Sequence, residues 1–139
     1  MNEKNKKLNI QDEWERALTV IKEARVLAGQ HLPEGATSRA YYAAFHATQA
    51  VLLTEGLQPK THQGALYLFN HHFVKRGFIE PEQSQILARA AKYREEADYR
   101  HTMIFSEGLA EETIREVSNF LKRMHVFLKQ AGYDLPSPI

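Results

Sequence analysis

The chain has 139 residues, enough for one domain with its own hydrophobic core, and its 43% hydrophobic and 25% charged residues are typical of a globular protein. It contains no cysteine, which excludes disulfides, thiolate metal sites and a cysteine nucleophile. A formal net charge of +1 argues against binding to nucleic acid or anionic lipid by bulk charge alone. No apolar run could span a bilayer, and the start MNEKNKKLN lacks the apolar core of a signal peptide. We therefore expect a cytoplasmic protein with no membrane segment.

Five segments have the apolar periodicity of amphipathic helices, and none has the alternation of a strand. The fourth begins at Pro81, and the pattern leaves open whether residues 102–105 are its last turn or a connector. Thr37 or Ser38, Thr61 and Ser106 are suitable N-caps for the second, third and fifth helices. The predicted helices cover about residues 10–30, 37–56, 61–76, 81 to about 101, and 106–131.

Short connections between long amphipathic helices predict antiparallel neighbours, hence an all-α, up-and-down bundle of four to five helices. We expect residues 1–9 to be a flexible segment, residues 10–131 a single helical domain, and residues 132–139 a C-terminal tail. The apolar stripes predict a core that includes Phe45, Leu52, Leu66, Phe69, Leu87, Val117, Leu121 and Leu128.

One polar cluster stands at the end of an apolar stripe. Arg94, Asp98 and His101 follow the spacing i, i+4, i+7, and on an α-helix they would leave within a sector of roughly 60°. The less demanding interpretation is an exposed i, i+4 ion pair that contributes a few tenths of a kcal/mol. The alternative is a functional site, because a cation, a carboxylate and an imidazole are costly to bury without a reason.

A second polar ridge runs along the second helix, where Arg39, Tyr42, His46 and Gln49 are spaced by three and four residues. It suits either a solvated face or a contact face for another subunit or an anionic ligand. No pair among the seven histidines has the i, i+3 or i, i+4 spacing of metal ligands on one helical face, so we expect no metal site and no cofactor.

Three separate motifs indicate a resemblance to a known family: SRAYYAAFH at 38–46, PKTHQG at 59–64 and REEADY at 94–99. In order and spacing they resemble a prokaryotic branch of the HEPN domain family, whose name denotes a nucleotide-binding domain of higher eukaryotes and prokaryotes. The resemblance covers about residues 10–130 and implies an all-α bundle of four or five helices that commonly forms a homodimer.

The resemblance also implies an activity. Many members of the family are metal-independent endoribonucleases with an Arg, four to six residues and then a His, which Arg94 and His101 match at the longest spacing. Some members are toxins encoded beside a minimal nucleotidyltransferase, which acts as the antitoxin. Arg94, His101 and Asp98 are then the expected catalytic residues, with His101 moving protons, Arg94 stabilising phosphorane charge and Asp98 orienting either partner.

Two departures from the family pattern keep an alternative open. The best-known toxins have four residues between Arg and His and a Tyr two residues later, whereas here the four-residue spacing reaches Tyr99 and His101 stands in the tyrosine's place. Glu95 follows the Arg, where catalytic members often have Asn, Asp or His. The alternative is a non-catalytic subunit that binds a nucleotide or acts as a scaffold and partners the nucleotidyltransferase. The expected binding residues, for RNA or a nucleotide, are Arg39, Tyr42, His46 and Tyr99.

Overall fold

A computed structural model describes residues 2–100 and 102–138 of the chain as an all-helical bundle without any strand in those residues. The predicted all-α fold with five helices is therefore confirmed. Within the described part of the chain, none of the helices combines the length and the apolar character that a membrane span requires. The helices are α1 (Glu3–Gly29), α2 (Pro33–Leu53), α3 (His62–Phe69), α4 (Pro81–Glu95) and α5 (Glu107–Gln130).

Two of these helices continue into a π-helical turn. The turn Asn70–Val74 follows α3, and the turn Glu96–Arg100 follows α4. A π-helical turn closes its hydrogen bonds at i→i+5 instead of i→i+4, so residues beyond it point in directions that an α-helix would not give them. The second of these turns shapes the candidate site.

Helix α2 is the centre of the bundle, because it packs against each of the other four helices and most extensively against α1. Small residues on α2 allow the neighbouring helices to pack closely against it. A run of fully buried alanines spaced by four and three residues follows one face of α2: Ala36, Ala40, Ala43, Ala47 and Ala50. Close packing along this face fixes the orientation of α2 and therefore the positions of the polar residues on its other faces.

Two helix starts differ from the prediction. Helix α1 begins at Glu3, not near Ile10, because the Asn2 side chain caps it by accepting from the backbone N–H of Asn5 (2.8 Å). Helix α2 begins at Pro33, not at Thr37 or Ser38, because proline fits the first turn, where a backbone N–H is not needed. The division of the chain at residues 9 and 131 remains a prediction, although residues 3–9 belong to α1.

The other predicted helix starts are confirmed. Thr61 accepts from the backbone N–H of Gly64 (2.8 Å) and Ser106 accepts from that of Leu109 (3.0 Å), while Pro81 is the first residue of α4.

Most of the predicted core is also confirmed. The buried members are Leu52, Phe69, Leu87, Val117, Leu121 and Leu128. Phe45 and Leu66 were predicted to be buried, and that was wrong: both are half-buried. Both pack against the core on one side and line a cleft between the helices on the other.

The C-terminal residues pack back onto the bundle. Leu135 is buried, the indole N–H of Trp14 donates to the carbonyl of Pro136 (2.7 Å), and Nε2 of His125 bonds to the carbonyl of Leu135 (2.9 Å). The rings of Trp14 and His125 stack at 5.5 Å beneath this segment. These contacts tie α1, α5 and the tail into one packed end of the molecule.

Replacement of Leu121 by alanine tests the core. Leu121 is 1% exposed, so Leu121→Ala removes buried methyl groups and leaves a cavity that the rigid neighbours fill only in part. We expect a loss of about 2–5 kcal/mol in the free energy of unfolding measured by urea denaturation. Val126→Ala on the exposed side of the same helix is the control and should change stability by less than about 0.5 kcal/mol. Equal effects of the two substitutions would contradict this placement of α5.

Candidate functional site

Arg94 is a buried cation at the end of α4, with 8% of the residue exposed. Its guanidinium carbon lies 5.2 Å from the centre of the Tyr41 ring and 5.4 Å from that of the Tyr99 ring. Within residues 2–100 and 102–138 no carboxylate forms an ion pair with it, and its buried Nε has no hydrogen-bond partner. The positive charge is thus held by aromatic rings and is not neutralised by a neighbouring anion.

Tyr41 links this cation to a histidine on another helix. Its hydroxyl shares a 2.5 Å hydrogen bond with Nδ1 of His62. Burial raises the pKa of Tyr41 to about 12, although the positive charge of Arg94 acts in the opposite direction, so the phenol stays protonated at neutral pH. The pKa of His62 is lowered by burial first and then by the nearby charges of Arg94 and His46, which favours the neutral imidazole.

The PKTHQG segment explains how His62 comes to lie there. His62 is the first residue of α3, directly after the cap Thr61. Gly64 is required by this cap, since a Cβ at that position would lie 2.9 Å from the Thr61 hydroxyl. The capped start of α3 places the imidazole against the Phe45 ring, with a distance of 4.5 Å between the ring centres.

Asp98 anchors the π-helical turn to α2. It accepts hydrogen bonds from the Ser38 hydroxyl (2.9 Å) and the Tyr42 hydroxyl (3.2 Å). Burial, and then the negative charge of Asp98, raise the pKa of Tyr42, so this hydroxyl remains a donor at neutral pH. The carboxylate therefore fixes the turn Glu96–Arg100 against the first half of α2.

The expected i, i+4 ion pair between Arg94 and Asp98 is absent, and that interpretation was wrong. The spacing argument assumed a continuous α-helix, whereas the chain changes to a π-helical turn at Glu96. Arg94 instead turns toward Tyr41, and Asp98 turns toward Ser38 and Tyr42. The two residues contact the same helix through different partners.

A half-open cleft of about 200 Å³ lies beside the guanidinium. Its wall is mostly apolar and aromatic, and it includes the two half-buried residues that the periodicity assigned to the core, Phe45 and Leu66. Arg94 and His62 supply polar groups in this wall, and the charges of Lys92 and Glu95 lie along it. An apolar cleft with a few convergent polar groups is the usual form of a small-molecule or substrate site.

The remaining predicted residues are spread around this centre. Arg39 lies outside the cleft, with its Nε 3.7 Å from a Glu23 carboxylate oxygen. His46 pairs with Glu13 through Nδ1 at 2.8 Å. Tyr99 is 68% exposed and covers one side of the Arg94 guanidinium. His101 lies outside the described residues.

Sequence reasoning missed Tyr41 and His62 as site residues. Both stand in the motifs that carried the family resemblance, but the helical period assigned Tyr41 to the core, and His62 had no helical neighbour to suggest a role. Only the packing of α2, α3 and α4 brings the three motifs together. In the described part of the chain, no three His, Asp or Glu side chains are grouped as a metal ion would require.

Known proteins are similar to this chain over most of its length. The model of the HEPN domain family matches residues 10–129. A Methanocaldococcus jannaschii protein named "Putative toxin MJ0605" is 35% identical over 88% of this chain and 93% of its own length. A Thermotoga maritima protein named only as a UPF0332 protein is 34% identical, over 87% of this chain and 90% of its own. A second M. jannaschii protein, "Putative toxin MJ0142", is 30% identical over 82% of this chain and 78% of its own.

The family model covers most of the chain, and it includes α2, α3, α4 and the cleft between them. The first two relatives match along at least nine tenths of their own length, with identities of 35% and 34%. This chain belongs to the HEPN domain family.

Proposed function

We propose that this HEPN protein is a metal-independent endoribonuclease that works as a homodimer and is controlled by a minimal nucleotidyltransferase as its antitoxin. The observation that carries the proposal is the unpaired, buried guanidinium of Arg94 beside an open cleft. The names of the two M. jannaschii relatives add support, since both describe a toxin.

The electrostatics of Arg94 favour a phosphate as the missing partner. Removing a cation from water costs several kcal/mol, and ring contacts return only about 0.5–2 kcal/mol each. An anion that enters the cleft would find a charge that no carboxylate has neutralised. A guanidinium binds phosphate oxygens through two parallel hydrogen bonds, and in a partly dry site it would stabilise the added charge of a phosphorane.

The proton transfers need a group that titrates near neutral pH, and His101 has that property by residue type. It follows the π-helical turn that Asp98 anchors to Ser38 and Tyr42. In this proposal Asp98 is a positioning residue, because it holds the turn in place and does not contact the reacting atoms.

Substitution of Arg94 tests the activity. Purified protein incubated with RNA in EDTA should cleave it, and Arg94→Ala should slow cleavage by about 10²–10³-fold, since loss of a charge-stabilising donor usually raises the barrier by about 3–4 kcal/mol. Arg94→Lys keeps the charge without the planar fork and should be slowed less. Arg89→Ala is the matched control, because Arg89 lies on the same helix but pairs with Glu116 (2.8 Å). An unchanged rate in both Arg94 variants would remove this site from the reaction.

The same assay identifies the residue that acts with Arg94. His101→Ala should lower the rate by about 10²–10⁴-fold, whereas Tyr99→Phe should be mild. A severe defect in Tyr99→Phe beside an unaffected His101→Ala would instead select the four-residue register, in which Tyr99 is the functional side chain. That register agrees with the position of the Tyr99 ring against Arg94.

A non-catalytic binding subunit is the second candidate. It is favoured by Glu95, an acidic residue that follows Arg94 and lines the same cleft. Its carboxylate, which also pairs with Arg100 at 3.1 Å, adds negative charge beside Arg94 and would reduce the stabilisation that Arg94 gives to a phosphorane. Wild-type protein that binds RNA or a nucleotide but leaves RNA intact in the assay above would select this candidate.

The homodimer is proposed to bring the ends of the two α4 helices together, with Arg39 or Tyr42 beside the shared cleft. Tyr42 already touches the site through Asp98, and about 43% of the Arg39 side chain is exposed. A two-fold axis there would place two Arg94 sites side by side and double the local positive charge.

The absence of cysteine allows a clean test of this geometry. Light scattering at tens of micromolar should give twice the chain mass of 16.0 kDa. An Arg100→Cys variant, placed just after α4, should form a disulfide-linked dimer on oxidation. Glu82→Cys at the opposite end of the same helix is the control and should remain uncrosslinked. A monomeric mass, or crosslinking through Glu82→Cys alone, would contradict the proposed interface.

The nucleotidyltransferase partner can be tested by co-expression. A minimal nucleotidyltransferase encoded beside this chain should co-purify with it and should suppress RNA cleavage in the EDTA assay. A neighbouring nucleotidyltransferase that neither binds the protein nor changes its activity would argue against the toxin–antitoxin assignment.

A further inference from the structure

We infer that His62 is a second proton-transfer residue of this site and acts as the general base that takes the proton of the RNA 2′-hydroxyl. The inference rests on the proposed ribonuclease function. It concerns a residue that lies outside the Arg94–His101 motif in sequence and that the fold brings next to Arg94.

The chemistry requires such a residue. Cleavage without a metal ion needs a base for the 2′-hydroxyl and an acid for the leaving 5′-oxygen, together with a cation for the phosphorane. Arg94 supplies the cation, and His101 can supply one of the two proton transfers. A concerted reaction needs one group that is unprotonated and another that is protonated at its start. Within one protomer, Arg94 and His101 supply the cation and only one of these two groups.

The geometry supplies the missing group from α3. His62 and Arg94 line the same cleft, and Tyr41 contacts both of them. The hydrogen bond to the Tyr41 hydroxyl engages Nδ1 and directs the other ring nitrogen, Nε2, away from Tyr41. When Nδ1 carries the proton it donates to the Tyr41 oxygen, and Nε2 then has the lone pair that a base needs. Tyr41 is thus a positioning residue that fixes the orientation of the ring, and the base form in this proposal is the tautomer with its proton on Nδ1.

The surrounding charges favour the neutral form of the imidazole. Burial lowers the pKa of His62, and the electrostatic effects of Arg94 and then of His46 lower it further. A base with a lowered pKa is mostly unprotonated at neutral pH and is therefore ready to accept a proton. The titratable and charged groups that surround His62 are Tyr41, Tyr42 and His46 on α2, and Lys92, Arg94 and Glu95 on α4.

The proposed step balances in protons and bonds. Nε2 of His62 accepts the proton of the 2′-hydroxyl while the 2′-oxygen forms a bond to the adjacent phosphorus. The bond between phosphorus and the 5′-oxygen breaks, and that oxygen takes a proton from the imidazolium of His101. The products are a 2′,3′-cyclic phosphate and a 5′-hydroxyl, with His62 protonated and His101 neutral. Exchange of protons with water restores both histidines.

The test is the pH dependence of RNA cleavage in EDTA by wild-type protein and by His62→Gln. The wild-type kcat/KM should rise with pH through the pKa of His62, which lies below the usual histidine value. His62→Gln should lower kcat/KM by about 10²–10⁴-fold at neutral pH and should abolish this rise. A structural role alone would lower the rate equally at every pH and leave the rise in place, and that result would overturn the inference.

Two matched variants complete the experiment. His71→Gln changes a histidine that follows α3 but stacks on Tyr67 away from the cleft, and it should keep the wild-type rate and profile. Tyr41→Phe removes the positioning hydroxyl and should lower kcat less than His62→Gln while still showing the rise with pH.

Failure of the inference differs from failure of the proposed function. If Arg94→Ala and His101→Ala lose cleavage but His62→Gln keeps the wild-type rate and profile, His62 is not the base and the ribonuclease stands. If the wild-type protein cleaves no RNA at any pH, the proposed function falls, and the catalytic role of His62 falls with it.

Discussion

The guanidinium of Arg94, buried between the end of α4 and the middle of α2, is the constraint on which the site depends. Its charge is surrounded by the rings of Tyr41 and Tyr99, which come from two different parts of the chain. Because a buried cation without compensation would cost several kcal/mol, these ring contacts favour one arrangement of α4 against α2. The cation that would bind a phosphate is therefore also a contact that orients the helices around the cleft.

The π-helical turn after α4 keeps that cation unpaired. In a continuous α-helix, Asp98 would lie one turn beyond Arg94 on the same face, close enough to neutralise it. The turn Glu96–Arg100 redirects Asp98 to the hydroxyls of Ser38 and Tyr42 instead. Such turns are frequent at functional sites, because they change the direction of a few side chains without ending the helix. Here the change separates the Asp98 carboxylate from the Arg94 guanidinium, and Arg94 lines the cleft with no carboxylate of the described residues bound to it.

The fold could be predicted from the sequence because each helix carries an apolar stripe and several have a recognisable cap. The start of α1 could not be predicted, because residues 3–9 are mostly exposed and form no buried apolar stripe. The Asn2 side chain that caps the helix is the signal there. The site was only partly predictable. The motif identified Arg94, but the Tyr41 ring that it contacts lies on α2, and His62 of the same cleft lies on α3. The helical period of a sequence gives no information about contacts between helices. Phe45 shows the limit most clearly, because its spacing assigns it to the core while the structure places it on the wall of the cleft.

Local charge, not net charge, determines what this near-neutral protein can attract. Several surface arginines are paired with carboxylates, among them Arg89 with Glu116 and Arg123 with Glu80, both at 2.8 Å. In high dielectric such pairs are worth little, and they leave almost no field for a distant ligand. Arg94 differs, because it is buried, has no carboxylate partner among the described residues and lies in a region of lower dielectric, where a charge acts more strongly. An anion would thus be drawn to the cleft specifically, at a site whose stability would improve when the anion binds. The free protein thus keeps a buried cation that has no carboxylate partner in the described part of the chain, which costs some stability and leaves the cation available to a ligand.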